Sequence, residues 1–189
     1  MTEEHQSPVA PVAVGSVPSS SALAAFAKAA AAAGKRLVVG ALIVDYAGRI
    51  YVQKRSESRA LFPGAWDIVG GHVEADETLT EALAREVMEE TGWRLVQLGA
   101  VVEVLDWEAG GVERREVDML VSVTGDLDNP LLEEAKHTEG RWLEPVQSHV
   151  LLERRSPTDV WVHKVVERAF ALLAAGAWEP LSPQRQSAQ

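Results

Sequence analysis

Three glutamates, Glu86, Glu89 and Glu90, are the residues of this sequence whose type and spacing best suit chemistry. In a helix, side chains three and four positions apart share one face, so the three carboxylates would form one acidic patch. Like charges at these spacings cost about 0.2–0.5 kcal/mol per pair. A bound cation would offset that cost, and carboxylate oxygens suit hard ions such as Mg²⁺ or Mn²⁺.

The surrounding residues predict the helix that this patch needs. Thr78 and Glu81 have the spacing of a capping box, and Gly92 stands where a left-handed residue would end the helix. Between them, apolar residues recur every four positions, as in a helix with one buried face. We therefore predict a helix over residues 79–91. A solvated acidic helix on the surface is the alternative interpretation of the same composition.

The stretch 71–93 resembles the signature of the Nudix hydrolases, G-x5-E-x7-R-E-U-x-E-E-x-G-U, in which U is apolar. The matching residues are Gly71, Glu77, Arg85, Glu86, Val87, Glu89, Glu90, Gly92 and Trp93. Trp93 is bulkier than the usual aliphatic residue at its position. Upstream, the segments FPGAW and GGHVE extend the likeness. Fixed residues at so many fixed gaps make the pattern highly specific.

The resemblance implies roles for the signature residues. It makes Glu89 and Glu90 metal ligands and Glu86 either a ligand or the catalytic base. It adds the backbone carbonyl of Gly70 to the metal shell. Paired glycines at positions 70 and 71 would let the backbone approach an ion closely. The resemblance assigns structural support to Glu77 and Arg85, as an ion pair, and to Gly71 and Gly92.

The resemblance also suggests an acid further along the chain. In many Nudix enzymes, an acid just before a tryptophan-containing strand acts as a metal ligand or base. By position this is Glu139, with Glu134 as the second choice. A solvated loop acid is the competing interpretation. We interpret His137 as a surface histidine.

Candidate substrate-binding residues lie outside the signature. Arg55 follows an alternating segment and Arg59 follows a turn-rich one. Planar guanidinium groups are well shaped for phosphates, although such cations also mark strand ends. Trp107 ends a predicted strand, where it could stack on a base, cap a hairpin or fill the core.

Composition narrows the class of protein. A net charge of −10 argues against an extended nucleic-acid surface or an anionic membrane surface. The chain has no cysteine, which excludes disulfides and thiolate metal sites and fits a cytoplasmic protein. No apolar run reaches the roughly 18–20 residues that cross a bilayer. The N-terminus lacks the positive charge of a secretory signal.

Strand patterns complete the predicted fold. Residues 36–45 predict a buried strand, and residues 49–55 predict a second strand paired with it. Residues 95–107 and 114–124 predict a hairpin. In its second strand Glu113, Glu116 and Asp118 alternate with apolar residues, which predicts one wet face. With a final helix over residues 159–174, we expect an α/β/α sandwich, with a mixed β-sheet between helices.

The predicted organisation is one domain with appendages. The Nudix-like domain covers residues 35–175, preceded by an alanine-rich helix within 19–34 that docks on its own domain or on a second copy in a homodimer. Residues 1–18 and 176–189 are rich in Pro and small or polar residues, and predict flexible tails.

The resemblance implies a hydrolase of a nucleoside diphosphate linked to another group X, with Mg²⁺ or Mn²⁺ as cofactor and a small nucleotide as substrate. A nucleoside triphosphate is our first interpretation, and a nucleotide sugar is the alternative. Isopentenyl diphosphate isomerases share the fold but need a cysteine that this chain lacks. A non-catalytic nucleotide sensor would usually have lost signature acids, and here they are intact.

Overall fold

A computed structural model describes residues 12–156 and 159–181. In chain order these residues form α1 (Ser20–Ala32), β1 (Arg36–Ile43), β2 (Ile50–Arg55), β3 (Trp66–Asp67), β4 (Val69–His72), α2 (Leu79–Thr91), β5 (Arg94–Ala109), β6 (Val112–Thr124), β7 (His137–Leu143), a 3-10 helix (Pro145–Leu152) and α3 (Trp161–Ala174).

The strands form two sheets. The larger has the order β4-β1-β6-β5, and the smaller has the order β3-β2-β7. β1 and β6 run parallel, whereas the other pairs are antiparallel. The predicted pairing of residues 49–55 with the first strand was wrong, because β2 pairs with β3 and β7 and meets the end of β1 only at a Val44–Ile50 bridge.

Helices cover both faces of the larger sheet. On one face, α1 and α2 pack over Val39 and Ala41 of β1. On the other face, α3 and the 3-10 helix pack over Leu42 and Leu120. Because β-strand side chains alternate between faces, each central strand feeds both cores. The predicted α/β/α sandwich with mixed strand directions is confirmed, with its strands divided between two sheets.

The ends of α2 are fixed by local sequence. The Thr78 side chain accepts a hydrogen bond from the Glu81 amide, while the Glu81 carboxylate accepts one from the Thr78 amide. Gly92 ends the helix with φ of 73°, a left-handed conformation that costs glycine little. The helix therefore begins and ends where its capping residues predict, which fixes the register of its acidic face.

Both predicted tails contain ordered segments. Val14 forms a parallel bridge with Val101 of β5, and Gly15 donates a backbone hydrogen bond to the same residue. At the other end, Trp178 is buried in the core, and the Leu181 amide donates to Ser122 Oγ. Parts of the predicted tails, within residues 12–18 and 176–181, thus contact the domain, and residues 1–11 and 182–189 lie outside the described part.

The alanine-rich helix packs on the domain. Ser19 caps α1 by accepting a hydrogen bond from the Ala22 amide, and Leu23 is buried in the core that α2 also covers. α1 thus docks on its own chain, which is one of the two arrangements predicted for it. Across residues 12–156 and 159–181, no helix combines the length and the apolar character that a membrane span requires.

Candidate active site

A cavity of about 400 Å³ runs between the two sheets. Its floor comes from β1 and β4, through Gly40, Gly70 and Gly71. One end reaches Glu90 of α2, and the other reaches Trp107 and Glu116 on the β5–β6 hairpin. A molecule in this cavity would therefore contact α2 at one end and the hairpin at the other.

The α2 acids lie on one side of the helix, as predicted. Glu86 and Glu90 are 7% and 4% exposed, whereas the Glu89 side chain is 46% exposed. Glu90 is the member of this group that lines the cavity. Two of the three carboxylates are thus removed from bulk water at the point where cavity and helix meet.

Arg85 forms ion pairs with Glu86 and Glu89 of this group and with Glu77 of the preceding loop. Its Nε and Nη2 donate to the two carboxylate oxygens of Glu77 at 2.7 and 3.0 Å, and Nη2 also donates to the His72 carbonyl. Its Nη1 contacts Glu86 at 2.8 Å and Glu89 at 3.3 Å. This network holds the loop before α2 against the helix, and the Arg85 guanidinium lowers the pKa of Glu77.

Glu90 has no such partner. It accepts hydrogen bonds from Gln53 Nε2 at 2.5 Å and from the Gly70 amide at 3.3 Å. Within residues 12–156 and 159–181, no Lys or Arg lies within ion-pair distance of it. Burial raises its pKa to about 8, and the charge of Glu86 adds to the effect. The buried His137 lies 3.8 Å away, and its own burial lowers its pKa to about 3, so the imidazole is neutral. Glu90 is therefore a buried carboxylate that no Lys or Arg of the described residues contacts directly, although the charge of Lys136 acts on it from farther away.

Two glycines make room for this arrangement. A methyl group at Gly71 would lie 2.2 Å from Glu86 Oε1, and one at Gly70 would lie 2.3 Å from the Val39 carbonyl. Both distances are far shorter than a van der Waals contact. Glycine at both positions therefore lets the acidic face of α2 approach the β4 backbone.

The donor chemistry of this site fits a hard divalent ion. The α2 acids supply only carboxylate oxygens, and the uncompensated Glu90 gains from a nearby cation. In the described part of the chain, no group of three or more acidic or histidine side chains is gathered so as to enclose a metal by itself. Magnesium usually keeps several waters and takes phosphate oxygens as ligands, so it does not need a complete protein shell. Glu86, Glu89 and Glu90 are the residues that would hold it, with Gly70 adjacent.

Three arginines supply positive charge to the same cavity. Arg55 and Arg59 line it, as does Arg155, which sequence analysis did not single out. Arg55 donates to Asp67 and to the Leu61 carbonyl, while Arg155 contacts Asp159 and stacks over Phe62 at 4.9 Å. The Nε of Arg59 is buried and has no hydrogen-bond partner in the part of the chain that the structure describes. In a chain of net charge −10, this local group is well suited to an anionic substrate.

A second acidic group lies at the hairpin end. Glu116 and Asp118 of β6 are 6% and 0% exposed, so the predicted wet face was wrong for both. Burial raises the pKa of Glu116 to about 7 and that of Asp118 well above its usual range, and each carboxyl has other acids as neighbours. They point away from α2, toward the core under α3, because Val117 and Met119 between them face the α2 side.

Trp107 lines the cavity and is fixed from both sides. Its Nε1 donates to Glu116 Oε2 at 2.6 Å, and the Arg114 guanidinium lies 4.7 Å from the centre of a Trp107 ring. Arg114 is anchored to the carbonyls of Ala109 and Val112. The hairpin itself turns at Gly110 and Gly111, both with positive φ. Trp107 is thus placed where it can contact a ligand.

Glu139 does not join the α2 acids. It pairs with Lys54, whereas Gly140 pairs with Gln53, the residue that contacts Glu90. Neighbouring residues of a strand face opposite sides, so the Glu139 side chain lies on the side away from Glu90. It is half exposed and forms an ion pair with Arg141 at 2.8 Å. Glu134, the second choice, is also exposed.

Other site residues gave no local signal. Gln53 lies within an alternating strand, and Arg155 follows the 3-10 helix with no motif around it. His137, interpreted from the sequence as a surface residue, is 3% exposed beside Glu90, so that interpretation was wrong. Their roles depend on the packing of β2, β7 and the segment before α3 around one cavity.

Comparison with known proteins agrees with this geometry. The family model for the NUDIX domain matches residues 34–165. A MutT protein from Methanosarcina mazei Go1 superposes with a TM-score of 0.57 and 26% sequence identity, covering 71% of this chain and 92% of that one. A MutT NUDIX hydrolase from Burkholderia pseudomallei gives a TM-score of 0.57 and 27% identity, covering 71% and 97%.

Two curated relatives match over shorter stretches. The chain is 43% identical over 53 residues to a nucleoside triphosphatase NudI from Enterobacter sp. (strain 638), covering 28% of this chain and 38% of the relative. It is 42% identical over 60 residues to an m7GpppN-mRNA hydrolase NUDT17 from Xenopus laevis, covering 32% and 20%. This chain thus spans well under two thirds of the length of these relatives. Because the NUDIX domain model covers residues 34–165 of 189, the chain belongs to the Nudix family.

Proposed function

We propose that this protein is a Mg²⁺- or Mn²⁺-dependent hydrolase that cleaves the diphosphate linkage of a nucleoside triphosphate. The observation that carries the proposal is the position of Glu90. It is a buried carboxylate without a cation of its own, at the end of a cavity that also contains Arg55, Arg59 and Arg155. A metal-bound polyphosphate would complement this cavity, because the metal would balance the carboxylate and the guanidinium groups would bind the phosphates.

The residues of the chain have separate tasks in this reaction. Arg55, Arg59 and Arg155 bind the phosphates and orient the linkage, since positioning supplies much of the catalysis in phosphoryl chemistry. A divalent ion held by Glu86, Glu89 and Glu90 would supply Lewis-acid polarisation of the phosphoryl oxygens.

We assign to Glu89 the task of accepting the proton of the attacking water. It is about half exposed, and its contact with Arg85 is longer than that of Glu86. Glu86 is the alternative base, because it lies on the same helical face.

We infer the substrate class from the name of a relative and from family motifs that this sequence lacks. A relative is named a nucleoside triphosphatase, which favours the triphosphate class. The sequence lacks the SQPWPFPxS motif of NADH-type members, and residues 107–112 contain neither the proline typical of ADP-ribose members nor the tyrosine typical of dinucleoside polyphosphate members. Nucleotide-sugar hydrolysis is the second candidate, because Glu90 and Trp107, on different elements, both line the cavity.

A substrate screen tests the proposal. Nucleoside triphosphates, nucleotide sugars, ADP-ribose and dinucleoside polyphosphates would be incubated with the protein and Mg²⁺ or Mn²⁺, and the products identified. We expect a nucleoside monophosphate and pyrophosphate from a triphosphate. Absence of turnover on every class would contradict the proposal and favour a nucleotide sensor.

The variant Glu89→Gln tests the assigned acids. Loss of a residue that only orients a metal ligand costs about 10–100-fold, so we expect loss of a carboxylate that itself holds the ion to lower kcat by more than about 100-fold. Glu153→Gln makes the same change of charge at an exposed position and should keep wild-type turnover. Circular dichroism would check that both variants fold. Wild-type kcat in a folded Glu89→Gln protein would refute the assignment.

A further inference from the structure

The acidic pair on β6 offers hydrogen-bond acceptors to the cavity. Glu116 lines the cavity directly. Asp118 lies behind it, beside the Gly40 backbone of the cavity floor, where a methyl group on Gly40 would come within 2.0 Å of Asp118 Oδ1. Apart from its contact with the Glu116 side chain, Asp118 has no hydrogen-bond partner for its carboxyl oxygens in the described residues. A buried acceptor that receives no hydrogen bond destabilises the folded state, so this part of the cavity wall suits a ligand that carries hydrogen-bond donors.

The nearest charges do not satisfy this pair. Asp67 and Glu103 add further negative charge near Asp118. Arg114 is the cation that acts on Glu116, but its guanidinium donates to the Ala109 and Val112 carbonyls and to His72. Both acids of the pair therefore remain rich in acceptor oxygens.

The Trp107 indole fixes which oxygen of Glu116 is available. Its Nε1 donates to Oε2, so we assign the ligand to Oε1, on a carboxyl that also contacts the Asp118 side chain. The same indole forms part of the cavity wall next to Glu116. An aromatic surface beside a fixed acceptor is a common way to bind a flat heterocycle that carries an N–H group.

We propose that Glu116, with Asp118 beside it, selects nucleobases that carry an exocyclic amino group, which donates to Glu116 Oε1 while the base lies against Trp107. This inference rests on the proposed function, because it seats the base at the hairpin end and the phosphates at the arginines and Glu90. Uracil has a carbonyl where cytosine has its amino group, and hypoxanthine has only a C–H where guanine has its amino group. Their binding leaves the buried acceptor without a donor.

Binding of reaction products measures this selectivity without turnover. The full-length protein would be titrated by calorimetry, in EDTA, with GMP against IMP and with CMP against UMP. GMP and IMP differ only in the 2-amino group. The titrations would be done at pH 8.5, above the raised pKa of Glu116, so that the acceptor is charged. A hydrogen bond to a charged acceptor contributes enough to make us expect about ten-fold tighter binding of the amino-bearing member of at least one pair.

Glu116→Gln tests the acceptor itself. The amide oxygen can still accept from Trp107, which leaves the amide N–H₂ toward the cavity. We therefore expect the preference to vanish or to invert toward UMP or IMP. Glu113→Gln, with the same change of charge on the same strand and an exposed side chain, should keep the wild-type preference.

Asp118→Asn tests the positioning role of the second acid. The wild-type Asp118 side chain already shares a hydrogen bond with Glu116, and the amide N–H₂ of the variant offers a second N–H that competes with the ligand for Glu116. We expect the GMP/IMP or CMP/UMP ratio to fall, while the affinity for the member without the amino group stays unchanged. An equal loss of affinity for both members would show a structural role only and would contradict this assignment.

The outcomes separate this inference from the proposed function. Hydrolysis of triphosphates together with equal binding within both product pairs would overturn the base selectivity and leave the hydrolase proposal standing. Selective product binding that depends on Glu116, without turnover of any substrate, would support the selectivity and overturn the hydrolase. Unchanged selectivity in a folded Glu116→Gln protein would also overturn the inference.

Discussion

The two acidic groups of this molecule border one cavity but differ in their partners. On α2, Arg85 contacts Glu86 and Glu89, whereas Glu90 has no Lys or Arg within ion-pair distance among the described residues. On β6, Glu116 has the indole N–H of Trp107, and Asp118 has no donor from the described residues. Glu89 keeps the α2 group open to water, so this group can gain or lose a solvated ion, whereas the buried β6 pair suits a neutral donor. Similar side chains thus acquire different chemistry through burial and neighbours.

The pH dependence of the free energy of unfolding is the property in which we expect the β6 acids to show themselves most strongly. The pKa of Glu116 is raised from an ordinary value of 4.5 to about 7 in the folded state, so the folded protein keeps a proton that the unfolded chain releases. Its contribution to the free energy of unfolding therefore falls as pH rises from 4.5 to about 7. We expect Glu116→Gln to stabilise the protein by about 3 kcal/mol at pH 8.5 and little at pH 4.

Urea unfolding of both proteins across this pH range provides the measurement. The lowered pKa of His137 gives an opposite trend, in which stability is lost as pH falls below 6.5, but it is common to both proteins and cancels in their difference. A difference that does not grow between pH 4 and 8.5 would mean that Glu116 ionises freely in the fold.

We expect the next largest effect from metal binding, which should stabilise the folded state through the α2 acids and not through the β6 acids. Mg²⁺ at about 100 times its Kd would stabilise the folded state by about 2.7 kcal/mol, or raise Tm by about 5–10 °C. The Glu86→Gln/Glu90→Gln double variant should lose this shift, and Glu116→Gln should retain it. Differential scanning calorimetry with and without Mg²⁺ measures both. Loss of the shift in Glu116→Gln would mean that the ion binds at the hairpin end.

The smallest expected effect concerns Glu139, which belongs to neither group. It lies on the opposite side of β7 from Glu90, in an exposed ion pair with Arg141, and such pairs contribute about 0–1 kcal/mol. We expect Glu139→Gln to change kcat/KM by less than about two-fold. Steady-state kinetics on the substrate found in the screen checks this. A loss comparable to that of Glu89→Gln would place Glu139 at the reacting centre.

The α2 group was predictable because its determinants are local. The Thr78 and Glu81 capping box and the left-handed Gly92 fix the helix, and the spacing of the acids then fixes their common face. Arg55, Arg59 and Trp107 were also predicted as substrate contacts, and all three line the cavity.

The β6 pair was not predictable in the same way. Acids that alternate with apolar residues usually mark a strand with one solvated face, but β6 lies inside its sheet, under α3 and the 3-10 helix. Only the assembled layers bury Glu116 and Asp118. Arg155 and His137 were missed for a related reason, since each reaches the cavity from an element distant in sequence.

The pairing of residues 14–16 with Val101 has a consequence for handling this protein. β5 is the outer strand of the larger sheet, and its middle residues would otherwise present unpaired backbone groups. Such strand edges are templates for association between molecules. The N-terminal segment therefore shields the edge, and a chain shortened to begin at α1 would expose it to self-association and aggregation.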